Sequence, residues 1–319
     1  MAFDLKKLKA FMNYQIKIEN AQEANGEIDL GRLATIAEGI RKISEGALQI
    51  RLKGISASKG PKKVSLKEAL KVTLTGLKGG STVLDLSTEK FEQTLSYQAD
   101  IFRQEAQQDL PQQTPVSLFI HAFNDALNAQ DDHGLLDKPL LNELKNFRKA
   151  FLKDDEILTI SNQGSLPDLK LEKRDFKKIK DFEEELPDPE PVMLNGIVDE
   201  LKYSKLKVRI QTEEGIVDGF LSNSLATEDI APYWGQKVTI TGTSHFKPGG
   251  KSVIEIQRIF ESGEGDEYFS KKPESETVQE QFDRQLREKG AKNQLSAIAG
   301  KWPGNESDEE FDRMLNDLD

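Results

Sequence analysis

Histidine is the side chain best suited to acid–base chemistry near neutral pH, and this chain has three: His121, His133 and His245. His121 stands two residues from both Phe119 and Phe123, and His133 closes the run Asp131-Asp132-His133. That run has metal-ligand side chains. Consecutive loop residues rarely converge on one ion, however, and no second cluster stands in the sequence to complete a shell. Cysteine is absent, which removes thiolate metal sites, disulfides and cysteine nucleophiles. Gly60-Pro61-Lys62-Lys63 lacks the flanking strand and the Gly-Lys-Ser/Thr ending of a phosphate loop. No Ser–His–Asp order or dinucleotide glycine pattern is present. Acid–base work would fall to Asp and Glu, and no pair is singled out. These residues point to a binding protein with no cofactor and no metal, rather than to an enzyme.

The binding chemistry concentrates in residues 263–319. Val278, Phe282 and Leu286 share one helical face, and Thr277 with Glu280 forms a capping box in front of it. Leu295 and Ile298 lead to Trp302, and Phe311, Leu315 and Leu318 fall at i, i+4 and i+7 behind the box of Ser307 and Glu310. Pieces this short are marginal as isolated helices, and none can build a core with itself. Lys301 and Arg313 add cations to a stretch that holds 8 Lys+Arg against 15 Asp+Glu, net −7. Residues 1–90 carry 16 against 10, net +6. A basic front and an acidic interaction arm follow from that asymmetry, with residues 263–276 polar enough to be disordered.

The elements that would carry this arm divide by composition. Residues 12–18 read as a strand, and 28–48 as a helix that Asp29 caps and that Gly31, Gly39 and Gly46 weaken. Residues 70–77 and 81–86 form a hairpin around Lys78-Gly79-Gly80. Helices over 89–105, 115–127 and 135–152 precede a strand at 156–161, so 1–165 is an α+β domain, an N-terminal mixed α/β unit. Charge and three prolines (Pro187, Pro189, Pro191) make 166–191 a stiff linker. Five short strands over 192–262 match a small Greek-key β-barrel of OB or SH3-like kind. Lys202, Lys205, Lys207, Arg209, Lys247 and Lys251 give it positive charge, with Tyr203, Phe220, His245 and Phe246 as its strand aromatics. A mostly disordered tail with short amphipathic helices follows at 263–319.

The stretch from Ala299, AGKWPGNESDEEFDRMLNDLD, resembles the C-terminal tails of antitoxins that neutralise PIN-domain ribonucleases. Gly300, Trp302, Pro303, Gly304, Asn305, Glu306 and the Phe311/Leu315/Leu318 stripe carry the resemblance, which covers about 25 to 45 residues. It implies an antitoxin-like inhibitor, part of a toxin–antitoxin system, whose partner is a PIN-type ribonuclease. Trp302 would be the anchor, and Lys301 or Arg313 would reach the acidic metal site of the nuclease. Such antitoxins are usually small and carry a DNA-binding dimerisation module, which residues 1–262 do not resemble. The alternative is a nucleic-acid-binding barrel with an accessory α+β domain, its affinity weak because acidic residues dilute its charge. No run approaches the ~20 apolar residues of a membrane span, and the N-terminus lacks a signal-peptide core. The expected location is the cytoplasm.

Overall fold

A computed structural model describes residues 11–23, 26–57, 64–78, 82–95, 109–128, 134–162, 167–202, 207–222, 225–272 and 280. The chain divides into two compact units, Met1–Ser275 and Glu276–Asp319. The first has two hydrophobic cores, and everything below concerns it.

Alternation sets the first sheet. In β1 (Phe11–Glu19), Tyr14, Ile16 and Ile18 are buried while Asn13 and Lys17 are exposed, the period of a half-buried strand. β1 lies centrally, with β3 (Thr82–Glu89) and β2 (Val72–Lys78) on one side. β4 (Ile157–Asn162) and β5 (Leu169–Glu172) lie on the other, and every pair is antiparallel. The expected hairpin is therefore present, with a register shift between Leu74 and Gly76; residues 79–81 lie outside the described residues.

Helices cover one face. α1 (Leu30–Lys53) starts where Asp29 accepts the Arg32 amide at 3.0 Å and runs five residues past its expected end. It stops at Gly54, whose φ of 87° is open to glycine at little cost. α2 (Val64–Ala69) and α3 (Phe91–Thr94) are short; most of the helix expected over 89–105 lies outside the described residues. α4 (Pro115–Asn128) and α5 (Lys138–Asn146) complete the layer. Gly39 has a packing reason: a Cβ there would collide with the Phe147 ring. The helix gives up some intrinsic stability, and α1 and the Phe147 turn close-pack in return. Phe147 belongs to a ring cluster with Phe119 at 5.1 Å and Phe123 at 5.7 Å, and Phe123 reaches Phe176 at 6.1 Å.

Phe176 lies inside the stretch expected to be a linker, and that expectation is corrected. Residues 169–172 are β5, paired with β4, and α6 (Asp175–Glu184) packs on α5. Leu169, Leu171, Phe176, Ile179 and Leu186 are buried in the first core. The abundant charge of this segment lies on its outer face and hid a two-residue strand period and an i, i+3 helical pair.

The second core is a closed five-stranded mixed barrel. It comprises β6 (Glu190–Lys202), β7 (Lys207–Thr212), β8 (Gly215–Leu221), β9 (Lys237–Lys247) and β10 (Lys251–Glu261) in the order β10-β8-β7-β6-β9. β8 and β10 pair in parallel and the other neighbours antiparallel. Leu194, Val208, Ile210, Ile240, Ile254 and Ile256 fill the interior, and Ile230 of α7 (Thr227–Ile230) joins them. Closure leaves no unpaired edge. A second correction concerns the expected disorder after 262. Asp266 Oδ2 accepts from Thr239 Oγ1 and the Gly263 amide, both at 2.7 Å, and Asn195 Nδ2 donates to Ser262 Oγ at 2.7 Å. Residues 263–272 thus pack on the barrel. Polar side chains make this attachment, so no apolar pattern announced it.

One buried ion network ties the first unit together. Arg32 donates from Nη1 to Glu23, from Nη2 to Glu156 Oε2 at 2.8 Å and from Nε to the Ala150 carbonyl at 3.0 Å. Glu156 is fully buried and also accepts the Leu152 and Gln22 amides. Removing one partner of a buried pair strands the other charge, at about 3–5 kcal/mol. Arg32→Ala should therefore lower unfolding free energy by about that amount in urea titrations, whereas Lys42→Ala, at an exposed i, i+4 pair, should leave the urea midpoint close to that of the parent protein.

Candidate functional site

All ten residues expected to engage a partner lie outside the described residues: Phe282, Leu286, Leu295, Ile298, Lys301, Trp302, Phe311, Arg313, Leu315 and Leu318. The geometry that can be built concerns the barrel and the layer beneath it.

Three of the barrel's four strand aromatics are buried. Phe220, His245 and Phe246 are only 4%, 7% and 2% exposed, and Tyr203 lies outside the described residues. Buried rings cannot stack on bases from solvent. The Phe220 and His245 rings lie 6.5 Å apart, and Phe220 lines a cleft together with the last residues of α1. A Cβ on Gly54 would lie 3.4 Å from Val253 Cγ1, so the end of α1 touches β10. Lys247 Nζ donates to the Gly134 carbonyl at 2.7 Å.

Four of the six expected barrel cations are described with side chains, and all four meet along this seam. β7 and β8 place Arg209 opposite Asp218 and Lys207 opposite Phe220. Asp218 accepts from Lys207 Nζ at 3.0 Å and from Arg209 Nε at 3.1 Å, and Arg209 Nη1 also reaches Glu200 at 3.0 Å. Burial opposes the charge on Asp218, but the hydrogen bonds and charges of Lys207 and then Arg209 outweigh it and hold the carboxyl below its ordinary range. The same bond to Asp218, then its charge, raises Arg209 further. A cleft of about 570 Å³ opens beside this pair, lined by Arg209, Lys247, Lys251 and Lys272 among others. A smaller one of about 190 Å³ adjoins it, sharing Gly134, Asp218, Lys247 and Val253, and adds Arg51, Lys53 and Lys207.

Sequence reasoning missed three of these residues. Arg51 and Lys53 form the basic last turn of α1, a favourable place for cations at a helix C-terminus. Their nearness to the barrel is long-range. Lys272 is brought over the β7–β8 turn because its amide donates to Glu214 Oε2 at 2.9 Å. Of the remaining candidates, His121 on α4 is partly buried, and burial followed by the charge of Arg51 lowers its pKa against the pull of Asp109. His133 lies outside the described residues. Among the described residues no group of three His, Asp or Glu side chains is placed to hold a metal.

Compared with protein families, with curated proteins and with solved structures, the chain matches none.

The pH sign at Asp218 can be tested. Its folded pKa lies below its unfolded value, so its contribution is present above the unfolded pKa and disappears as pH falls through the folded one. Asp218→Asn should lower the melting temperature at pH 7. The gap to the parent protein should close as both are taken from about pH 5 to below about pH 3, since the usual Asp pKa is about 3.9. A gap independent of pH would assign the loss to packing instead.

Proposed function

We propose that this protein is an antitoxin-like binding protein that inhibits a PIN-type ribonuclease through residues 276–319, acting in the cytoplasm without catalysis of its own. The observation that carries the reading is the sequence Gly300-Lys301-Trp302-Pro303-Gly304-Asn305-Glu306 followed by the Phe311/Leu315/Leu318 stripe. Two features of the fold support it. The chain divides at Ser275/Glu276, in front of the stretch with the amphipathic pieces. The barrel's strands also satisfy one another all the way round, so no edge waits for a strand from elsewhere in the chain. No helix among the described residues is long and apolar enough to cross a membrane.

The mechanism follows from the residue types. A PIN nuclease, as the resemblance implies, holds Mg²⁺ in a carboxylate cluster and activates water on it. An arm that lays apolar stripes along a groove of such an enzyme buries them all at once, and its ordering cost is met by that burial. Trp302 supplies the large aromatic anchor, and aromatic anchors carry a large share of interface energy. Lys301 and Arg313 place cations where the carboxylates would otherwise hold metal.

We further infer that the barrel is of the OB kind rather than the SH3-like kind. From β6 onward its strands close in the order first-second-third-fifth-fourth, and the third and fifth are parallel. The short α7 lies in the connection between third and fourth. In this reading the barrel and the α+β layer form the body that carries the arm.

Trp302→Ala should weaken the complex with the ribonuclease by about 2–4 kcal/mol, the range of an interface hot spot, measured by calorimetric titration. The melting temperature of the free protein should not move. Phe311→Ala and Leu315→Ala should act in the same direction with smaller effects. Loss of thermal stability in free Trp302→Ala, with no ribonuclease recovered on co-expression, would place the indole in the protein's own core and refute the proposal.

A further inference from the structure

We propose that a cleft at one end of the first sheet binds a neutral saccharide. This goes beyond the inhibitor reading and does not depend on it.

The cleft lies where β1 and β2 begin and β3 ends. Register builds it: β3 sets Glu89 opposite Phe11 of β1 and Ser87 opposite Thr73 of β2. Along β3, Ser87 and Glu89 alternate with the buried Leu84, Leu86 and Thr88, so they stand on the sheet face that the helices leave open. The end of α2 closes one side with Glu68 and Ala69, and α3 adds Gln93 and Thr94. The space is about 660 Å³, within the range of about 300–1,000 Å³ of small-molecule sites.

The lining decides the class of ligand. Sites for apolar ligands have mostly apolar walls and a few polar groups. Here that pattern is inverted. One ring, Phe11 at 55% exposure, stands among the hydroxyls of Thr73, Thr75, Ser87, Thr88 and Thr94 and the amide of Gln93. Charge is nearly balanced, with Glu68 and Glu89 against Lys71. Two carboxylates disfavour an anion and the ammonium disfavours a cation, so the lining selects no ion.

Hydrogen-bond direction narrows it further. Thr75 Oγ1 donates to the Asp85 carbonyl at 3.1 Å, and Thr88 Oγ1 donates to the Lys71 carbonyl at 2.9 Å. With those protons engaged, the two oxygens offer a ligand only lone pairs. Gln93 Oε1 is buried with no hydrogen-bond partner. A buried carbonyl oxygen without a donor is rare in native proteins, and it is an independent sign that a donor belongs beside it. The cleft is therefore rich in acceptors and suits a ligand with many O–H donors. A pyranose carries such donors around its rim. Its C–H face is apolar and would cover the exposed ring of Phe11.

The test uses the full chain and four neutral disaccharides: maltose, cellobiose, lactose and diacetylchitobiose. Each is followed by saturation-transfer NMR and by titration calorimetry. At least one should bind with a dissociation constant of about 1 mM or tighter. Gln93→Leu should weaken that binding about tenfold without lowering the melting temperature, because the lost oxygen made no bond in the free protein. Phe11→Ala should weaken it about fivefold through lost apolar cover. Phe11→Trp retains an aromatic face and should bind like the parent, which separates loss of contact from loss of fold. Binding of none of the four overturns the proposal, and is the result expected if residues 96–108 of the same chain occupy the cleft. Spermidine binding more tightly than every sugar overturns it in favour of a polyamine. Sugar binding that survives both Gln93→Leu and Phe11→Ala overturns the cleft as the site.

Discussion

The buried guanidinium of Arg32 fixes where everything else goes. Its bonds to Glu23, Glu156 and the Ala150 carbonyl join the first turn of α1 to the loop after β1 and to the segment that enters β4. A charge network this dry gives little net stability over an apolar equivalent, but it leaves few alternative placements for α1. From that fixed end the helix runs 24 residues, about 36 Å at 1.5 Å per residue. Its far end carries Arg51 and Lys53 to the barrel and stops at Gly54 against Val253. The position of the cationic seam is thus set by an ion network at the opposite end of the helix.

Local patterns carried much of this architecture. The α1 face, the Asp29 cap, the β2–β3 pair and all five barrel strands are readable because each has its own period or turn chemistry within a short window. The segment from 169 to 184 was misread for a physical reason. Charged residues dominate its composition, while its burial rests on a few positions such as Leu171, Phe176 and Ile179. The attachment of 263–272 to the barrel was also hidden, since it depends on Asp266, Ser262 and Glu214 rather than on apolar spacing. In both cases the composition described the outer face and the structure was decided by the inner one.

The candidate seam was legible only in part. Lys207, Arg209, Lys247 and Lys251 could be named from the strands that carry them. That they converge, that Asp218 lies between two of them, and that α1 brings two more could not be read, because each is a long-range contact between different layers. The buried state of Phe220 and His245 belongs to the same class of fact. Their burial removes these two rings from contact with anything in solvent.

The body and the arm therefore divide the work in this account. The two-core body of Met1–Ser275 is a scaffold with a cationic seam, and in the proposed reading Glu276–Asp319 is the part that would meet a ribonuclease. Hydrogen–deuterium exchange on the full chain, with and without a bound PIN-type ribonuclease, tests that division most directly. Exchange reports local opening amide by amide. New protection on complex formation should fall within residues 276–319, centred on the peptide containing Trp302, and the strands of the barrel should exchange as they do in the free protein. Protection gained along β7, β8 and β10, with 276–319 unchanged, would contradict the account, because it would make the barrel rather than the arm the surface that binds the enzyme.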